Sequence, residues 1–266
     1  MRAAALTILP LVLATPAFAA DDARLELGIG ATALRLPDYR GSDEQQGYLL
    51  PLPYLSYQGE RLQVSRAGVR GLLFQGERTE FDLSLNATPP VKSEKNRARA
   101  GMPELDPTLE IGPSFKYRLS AAADPVRVEL VLPLRAVASF DDWRVRHVGN
   151  VFNPKIGVEW RQGRDWGMGL SAGALFGDRR QHAYFYDVDA RYATAERPAY
   201  RARGGYGGLQ GTLSASRSFG DWWLGTFLRA DQVGGARFAD SPLVKRKTNL
   251  SAGIGLAWRF YRSDER

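Results

Sequence analysis

The chain has 266 residues and a formal net charge of +7, from 36 Lys and Arg against 29 Asp and Glu. The absence of cysteine excludes disulfide frameworks, thiolate metal sites and cysteine nucleophiles. The 28 glycines and the 11% aromatic content favour many short strands over a helical fold.

Residues 1–19 contain the three parts of a secretory signal peptide. Arg2 supplies the positive charge, an apolar stretch follows, and Ala17-Phe18-Ala19 is a small-residue cleavage site. The apolar stretch is too short to cross a bilayer as an anchor. We therefore expect cleavage after Ala19 and export of a single domain, residues 20–266. An exported protein does not meet nucleic acid, so its net positive charge must have another partner. Phosphorylated lipid and peptidoglycan are the anionic neighbours.

The exported domain alternates apolar and polar residues with a period of two. In 79–88, for example, Phe81, Leu83 and Leu85 alternate with polar residues. Successive side chains of a strand point to opposite faces, so such a segment has one apolar and one polar face. Eleven segments follow this pattern: 24–36, 47–57, 61–73, 79–88, 107–119, 125–138, 150–161, 165–177, 205–218, 222–232 and 248–261.

Both a soluble β-sandwich and a membrane β-barrel show this alternation. Three features favour the barrel: segments of about ten residues or more, aromatic residues near their ends, and charges of both signs on the polar faces. No later segment is apolar enough for a transmembrane helix. The predicted fold is therefore all-β, an antiparallel transmembrane β-barrel in the cell outer membrane, and the sandwich is the alternative.

Eleven strands conflict with the even number that single-chain bacterial barrels have. Either 61–73 is two short strands that fold back near Arg66–Gly68, or 183–192 adds a strand. The first solution puts every short connection on the periplasmic side and explains why the apolar residues of 61–73 change parity. We therefore predict twelve strands, with ten as the alternative.

The longer connections then lie on the outward side: 37–46, 89–106, 139–149, 178–204 and 233–247. The fourth is long for a structureless connection, and its tyrosines could pack it as a lid over the barrel mouth; a solvated loop is the alternative. The loops are also basic. Their arginines could bind lipopolysaccharide phosphates in a bidentate manner, or be ordinary solvated charge.

Catalysis by such a barrel would require a nucleophile beside a base that a third group orients. His147 and His182 are the available histidines, and both are predicted to lie in outward loops among arginines. The sequence has no HExxH pattern and no phosphate-binding loop. We therefore expect no enzyme activity, no metal and no cofactor. A lipid-modifying enzyme would require one of these histidines beside a serine.

Pro51 and Pro53 are unusual in a strand because each removes a hydrogen-bond donor from the ladder. They share one parity, so the missing donors are expected along one edge, beside the broken segment 61–73. The alternatives are a local bend and a strained wall segment at a docking site.

Charged side chains share the predicted inner face of the barrel: Glu80, Asp82, Glu110, Lys116, Arg118, Arg127, Glu129, Arg135, Lys155, Glu159 and Arg161. Opposite charges on neighbouring strands can pair across the wall, and we expect Glu110 with Arg127 and Glu129 with Lys155. A barrel of this size lies between filled barrels and open channels. The sequence therefore predicts a narrow, salt-bridged interior with weak conductance.

Several segments of the chain resemble the MipA/OmpV family, the MltA-interacting outer-membrane proteins. The N-terminal segments are Pro37-Asp38-Tyr39, Gly41-Ser42-Asp43 and Pro51-Leu52-Pro53, and later ones are 184–188, 198–200 and 240–244. The closing GIGLAWRF, with Gly255, Trp258 and Phe260, resembles the C-terminal assembly signal of outer-membrane barrels.

This resemblance implies a non-catalytic scaffold that joins a lytic transglycosylase to a murein synthase at the outer membrane. Other members are described as adhesins or osmotically regulated porins. A narrow small-solute pore or an adhesin is therefore the alternative, and the oligomeric state is left undetermined.

Overall fold

The structure, a computed structural model, describes residues 24–58, 62–65, 68–121, 123–141, 144–163 and 165–263. The predicted signal peptide, 1–19, lies outside these residues and stays a prediction. The described residues form thirteen strands: β1 Arg24–Pro37, β2 Gln45–Gln58, β3 Leu62–Ser65, β4 Gly68–Gln75, β5 Thr79–Thr88, β6 Thr108–Arg118, β7 Val126–Asp141, β8 Arg144–Phe152, β9 Lys155–Gln162, β10 Trp166–Gly177, β11 Gly205–Phe219, β12 Trp222–Gln232 and β13 Thr248–Arg262.

The strands form one antiparallel sheet that closes on itself. Successive strands pair along the chain, except that β8 and β9 both lie between β7 and β10, and β1 pairs with β13 to complete the ring. Closure removes the exposed sheet edges at the two chain ends, which would otherwise leave backbone groups without partners in lipid. The fold is therefore an all-β antiparallel barrel, as predicted.

The strands β3 and β4 form a short hairpin, with Leu62 opposite Gly71 and Ser65 opposite Gly68. The predicted segment 61–73 is therefore divided in two, although residues 66 and 67 of the return lie outside the described part of the chain.

The predicted segment 150–161 is also divided, into β8 and β9, at Asn153 and Pro154. Proline cannot donate to a ladder, and here the carbonyl of Pro154 accepts from the Ala174 amide at 3.1 Å. Both β7 and β10 pair with β8 and with β9. Thirteen strands in the described residues leave the predicted count of twelve unconfirmed.

The outer face of the barrel is an apolar band. Leu49 is 78% exposed, Leu213 51% and Ile254 52%, values that a protein surrounded by water would rarely show together. Exposed aromatic residues border the band near the short turns: Trp166, Phe219, Trp222, Trp258, Phe260 and Tyr261. This is the girdle expected at a lipid–water interface. The proposed assembly residues Trp258 and Phe260 therefore face outward.

Two predicted loops have regular structure instead. The strands β7 and β8 reach Asp141 and Arg144, so most of the predicted loop 139–149 is strand. The segment 178–204 contains helix α1, Arg179–Tyr186, where the alternative topology would have required a strand. The Asp178 carboxylate caps this helix by accepting from the Gln181 amide at 2.9 Å. Within the described residues, no helix is both long enough and apolar enough to cross a membrane.

Candidate functional site: a cap over a charged interior

The long connections pack together at one end of the barrel. We call residues 38–44, 89–107, 178–204 and 233–247 the cap. Buried apolar side chains from all four segments form one cluster: Tyr39, Val91, Ala98, Met102, Leu105, Tyr186, Val188, Ala202, Val233, Ala236, Phe238 and Leu243. Cap residues and inward-facing wall residues line a common cavity of about 130 Å³. The cap therefore lies over the barrel interior, which agrees with the lid alternative for 178–204.

The segment that carries the family resemblance holds the cap together. The buried Asp38 carboxylate accepts from the side-chain amide of Asn96 at 2.7 Å and from that of Gln46 at 2.8 Å. The fully buried Ser42 hydroxyl accepts from the same Asn96 amide at 3.1 Å. The Tyr39 hydroxyl donates to the Leu243 carbonyl at 2.9 Å. These contacts join three of the four cap segments.

Backbone geometry explains why position 41 of this segment is a glycine. Its φ is +97°, which L-residues rarely adopt, and an added Cβ would lie 3.2 Å from the Val244 side chain. Its amide donates to the Asn249 side-chain oxygen at 2.6 Å, and its carbonyl accepts from the Lys245 amide at 2.7 Å. Next to it, Asp43 lies 3.6 Å from the Arg97 guanidinium. Pro37, just before the cap, ends β1.

Helix α1 carries the aromatic centre of the cap. The ring of Tyr186 stacks on that of Phe238 with 3.7 Å between centroids, and its hydroxyl donates to the Arg40 carbonyl at 2.8 Å. Burial raises the pKa of Tyr186 well above its usual value. The residue therefore stays a neutral hydrogen-bond donor.

Several arginines that the sequence suggested for lipopolysaccharide binding are structural. Arg99 is buried, donates to the carbonyls of Phe185 and Pro103, and has its pKa lowered by burial. Arg197 donates to the carbonyls of Tyr192, Ala98 and Ala100. Their guanidinium groups donate hydrogen bonds to backbone carbonyls of the cap. In a sheet, the amides of a neighbouring strand would donate these bonds. The basic composition of these loops is therefore partly a requirement of the cap.

The two histidines do not occupy solvated loops, contrary to the sequence prediction. His147 lies in β8, with Nε2 3.4 Å from the Asn150 side-chain oxygen. His182 lies in α1, is 2% exposed, and has Nδ1 2.7 Å from the Arg203 carbonyl. Burial is the main cause that lowers the pKa of His182. Neither ring bonds to a serine in the described residues, and the expected lack of catalysis stays a prediction. The described residues also hold no cluster of three potential metal ligands.

The barrel interior contains a buried charge cluster, although Glu110 has a different partner from the one predicted; the predicted pair of Glu129 with Lys155 stays a prediction. Lys116 on β6 is 6% exposed and lies 2.7 Å from Glu80; it also bonds to Asp82, its second partner on β5. Opposite charges compensate one another where water is scarce. Burial of any one of these three side chains would be unfavourable without the others.

The other interior charges extend this network around the wall. Glu110 pairs with Arg135 at 2.8 Å and not with Arg127, because Arg135 lies on the adjacent part of β7. Arg127 pairs with Glu129 and lies 3.8 Å from Glu80. Arg118 stands opposite Glu129 in the ladder and so shares its face. Lys155 and Glu159 line the interior cavity described next.

The interior is filled on one side and hollow on the other. The side chains of Leu34, Leu52, Trp223 and Phe227 fill the space beside β12 and β13, where they contact glycines. Gly255, the third assembly residue, faces inward there, 3.2 Å from Leu52 at the position of an added Cβ. A cavity of about 220 Å³ remains on the side of β5, β6, β7, β9, β10 and β11, and charged and hydroxyl side chains are part of its lining.

An ion pair that the sequence did not reveal links the cap to the wall. Asp231 on β12 is fully buried and lies 2.9 Å from Arg40 of the cap and 3.0 Å from Arg229. Arg40 also donates to the Gly207 carbonyl at 2.7 Å. The alternation of β12 places Asp231 on the polar face, so the sequence could have predicted that it points into the barrel. Its partner Arg40 lies in a loop without periodicity and could not have been predicted in this way.

Comparison with known proteins gives a family and a set of distant structures. The family described as MltA-interacting protein MipA matches residues 29–260. No relative is found among the curated proteins. The COG4313 outer membrane channel from Pseudomonas putida F1 is 11% identical, with a TM-score of 0.43, over 90% of this chain and 96% of its own.

Two further solved structures are similarly distant. A bacterial polysaccharide outer membrane secretin is 10% identical, with a TM-score of 0.42, over 92% of this chain and 100% of its own. The outer membrane phospholipase A from Escherichia coli is 8% identical, with a TM-score of 0.33, over 88% and 92%. The closed barrel with its apolar band and the family match over 29–260 agree, and the chain belongs to the MipA family of outer-membrane β-barrels.

Proposed function

We propose that this protein is a non-catalytic scaffold that holds murein-processing enzymes at the periplasmic face of the outer membrane. The observation that carries the proposal is the closed loop end: four cap segments share one buried cluster over the interior. A barrel closed in this way is poorly suited to general diffusion. The described interior is further narrowed by its ion pairs, including Lys116 with Glu80.

The partners follow from the family description, which names an MltA-interacting protein. We propose a lytic transglycosylase of that kind and a murein synthase. Both would bind the end opposite the cap, where the connections between strands are short. The exposed residues there have mixed charge, with Glu77, Asp221 and Arg262 among them. A charged surface of this kind attracts and orients a partner enzyme electrostatically and offers little apolar contact. Binding of the enzyme should therefore weaken as the salt concentration rises.

Binding of a purified lytic transglycosylase to the immobilised barrel, in detergent and at two salt concentrations, tests the scaffold. The double charge reversal of Glu77→Lys and Asp221→Lys should weaken binding at least several-fold. Arg179→Glu with Arg180→Glu is the matched control, since both arginines are exposed but lie in α1 of the cap. A barrel that does not bind the enzyme, or equal loss in both variants, contradicts the proposal.

The interior cavity favours one alternative, a narrow small-solute pore. Its charged lining resembles a selective lumen more than a packed core. Single-channel recording in planar bilayers distinguishes the two functions. We expect no large, stable open steps from the wild-type protein, whereas such steps would support the pore.

Within the same proposal, β8 and β9 act as one interrupted position of the wall, since the same two neighbours pair with both. The barrel would then have twelve positions, which is the even number that bacterial barrels have.

A further inference from the structure

One arginine stands on the lipid-facing side of the wall. Arg35 of β1 lies directly opposite Ala252 of β13, and the next outward pair along the ladder is Ala33 with Ile254, of which Ile254 is 52% exposed. Arg35 is itself exposed. A charged residue on the lipid face of a barrel is unfavourable near the middle of the membrane and is tolerated near an interface. Arg35 therefore requires polar surroundings at the membrane surface.

The side chain of Arg35 is directed toward the cap end of the barrel. Its Nε donates to the Gln45 side-chain oxygen at 3.0 Å, and Gln45 stands opposite Pro37, two residues nearer the cap. The side-chain amide of Gln45 donates in turn to the Leu250 carbonyl at 3.3 Å. These contacts hold the guanidinium beside the cap end of β13, while the carbon stem lies along the apolar face. Within the described residues, its four terminal N–H groups make no hydrogen bond and are available as donors.

The course of β13 places the neighbouring cations at the outer membrane surface. Trp258 belongs to the aromatic girdle near the short turns, and Lys247 lies eleven positions before it. Eleven residues of antiparallel strand extend about 37 Å, which a tilt of about 40° reduces to roughly 28 Å along the membrane normal. The apolar band of such a barrel is roughly 25 Å tall. Lys247 therefore lies just beyond the band, at the level of the lipid headgroups.

Four exposed cations share this edge of the cap: Arg35, Lys245, Arg246 and Lys247. The amides of Lys245 and Arg246 both donate to the Gly41 carbonyl, at 2.7 and 3.0 Å, which holds their backbone against the segment that follows β1. In the part of the chain that the structure describes, none of the four forms an ion pair, whereas the cap arginines Arg40 and Arg97 do. The edge therefore carries a local surplus of positive charge.

The carboxylates at the surface of the same two cap segments have other neighbours. Asp43 and Glu44 lie 3.6 and 2.7 Å from the Arg97 guanidinium. Asp240 lies near Tyr200 of the third cap segment, where burial and, to a smaller extent, Asp240 raise the pKa of that tyrosine. An anion from outside the chain is therefore required to compensate the four cations.

Small residues flank Arg35 on both neighbouring strands. Gly47 of β2 and Ala252 of β13 stand opposite it in the two ladders, and both are exposed. An added Cβ at Gly47 would lie 4.0 Å from the nearest non-adjacent atom, so packing within the protein does not require glycine there. Leu250, which is 53% exposed, borders the same area. The outer face therefore leaves space for acyl chains around the arginine stem.

The outer face of β2 continues this apolar surface toward the short turns. Leu49, Pro51 and Pro53 follow Gly47 on the same face, and all three are exposed. The ladder with β1 continues across both prolines without a register shift. The prolines therefore present apolar rings to lipid and leave the pairing of β2 with β1 intact.

We propose that this edge binds lipopolysaccharide, the phosphorylated lipid of the outer leaflet. Its phosphates contact Arg35 and the cations of 245–247, and its acyl chains lie on the outer faces of β13, β1 and β2. A guanidinium can donate two parallel hydrogen bonds to phosphate oxygens, which suits Arg35 and Arg246 to this role. The inference concerns the lipid-facing edge of the cap and does not rest on a periplasmic partner, so either proposal can fail without the other.

Native mass spectrometry of the folded barrel in detergent measures this binding. The probe is lipid A, the acylated part of lipopolysaccharide, either with both phosphates or after their enzymatic removal. The edge variant combines Arg35→Gln, Lys245→Gln, Arg246→Gln and Lys247→Gln. The matched control combines Lys92→Gln, Lys95→Gln, Arg179→Gln and Arg180→Gln, which removes the same charge from four exposed residues of the second and third cap segments.

We expect the wild-type protein to bind phosphorylated lipid A at least tenfold more tightly than the dephosphorylated form. The edge variant should lose at least tenfold in affinity for the phosphorylated form, and the control less than threefold. Equal losses in the two variants, or no preference of the wild type for the phosphates, overturn the proposal. Phosphatidylglycerol that binds as tightly as lipid A also overturns it, since the edge would then attract any anionic lipid.

Heat-modifiable migration shows whether each variant is folded. If the edge variant does not fold, Arg35→Gln alone replaces it, with Arg179→Gln as its control. The loss of affinity for phosphorylated lipid A should then be several-fold for Arg35→Gln and absent for Arg179→Gln, and equal affinities of the two variants overturn the proposal.

Discussion

The cap should open more readily when Asn96, a buried side chain that bonds its first two segments together, is removed. In Asn96→Ala, the Asp38 carboxylate loses a hydrogen bond of 2.7 Å, Ser42 loses one of 3.1 Å, and the Arg99 amide loses its side-chain acceptor at 3.2 Å. Asn96 itself is fully buried, so water does not already compete for these groups.

The expected destabilisation of the closed cap is about 3 kcal/mol, of which roughly 2 come from the charged hydrogen bond and about 1 from the lost amide acceptor. At 1.36 kcal/mol per tenfold change, the open population should rise by about 100-fold. The barrel wall should be unaffected, because the lost contacts lie within the cap.

Limited trypsin digestion of the folded barrel measures this opening, since Lys92, Lys95 and Arg97 lie in the segment that Asn96 anchors. When opening and closing are fast, the cleavage rate follows the open population. Asn86→Ala is the matched control, an amide that is exposed on β5. Cleavage of Asn96→Ala within a few-fold of the wild-type rate, or equal acceleration in Asn86→Ala, would refute the reasoning.

Three further predictions concern the interior, the family segment and pH. Lys116→Met removes the cation that Glu80 and Asp82 share and leaves the buried Asp82 carboxylate without it, so the barrel should be destabilised by about 3 kcal/mol, measured by urea-dependent loss of heat-modifiable migration; Lys116→Arg should lose much less. Gly41→Ala should increase trypsin cleavage of the cap more than Gly101→Ala, because both have positive φ but only Gly41 meets another side chain, Val244; equal effects would contradict this. Because burial lowers the pKa of His182, the folded cap binds that proton less readily than the unfolded chain, so cap stability should be constant at higher pH and decline as pH falls through about 6.5. His182→Gln should reduce this dependence in the same digestion assay, and His147→Gln should not.

Most of the wall could be predicted from local sequence. The bounds of β5 and β12 match the predicted segments at both ends, and the division of 61–73 into two strands was visible as a change of apolar parity. A strand with one face toward lipid and one toward the interior records both environments in its alternation. The division at Pro154 could not be recognised in this way, because the apolar residues before and after it, Phe152 and Ile156, point to the same face.

The charge pairs show the limit of parity. Alternation assigns Glu110, Arg127 and Arg135 to one face but says nothing about height along the barrel. The ladder places Glu110 directly opposite Val137, and Arg135 is two residues away on the same face of β7. That register depends on the bulges and turns of the completed wall, so the partner of Glu110 could not be chosen from the sequence.

The sequence by itself determined the all-β barrel, the face to which the strand side chains point, and the division of 61–73 into two short strands, because these depend on periodicity. Only the tertiary structure decided what the loops do. Asp38 and Asn96 are 58 positions apart in the chain, and Arg40 and Asp231 are 191 apart. Loops carry no periodic signal, and their contacts exist only after barrel closure has brought their ends together.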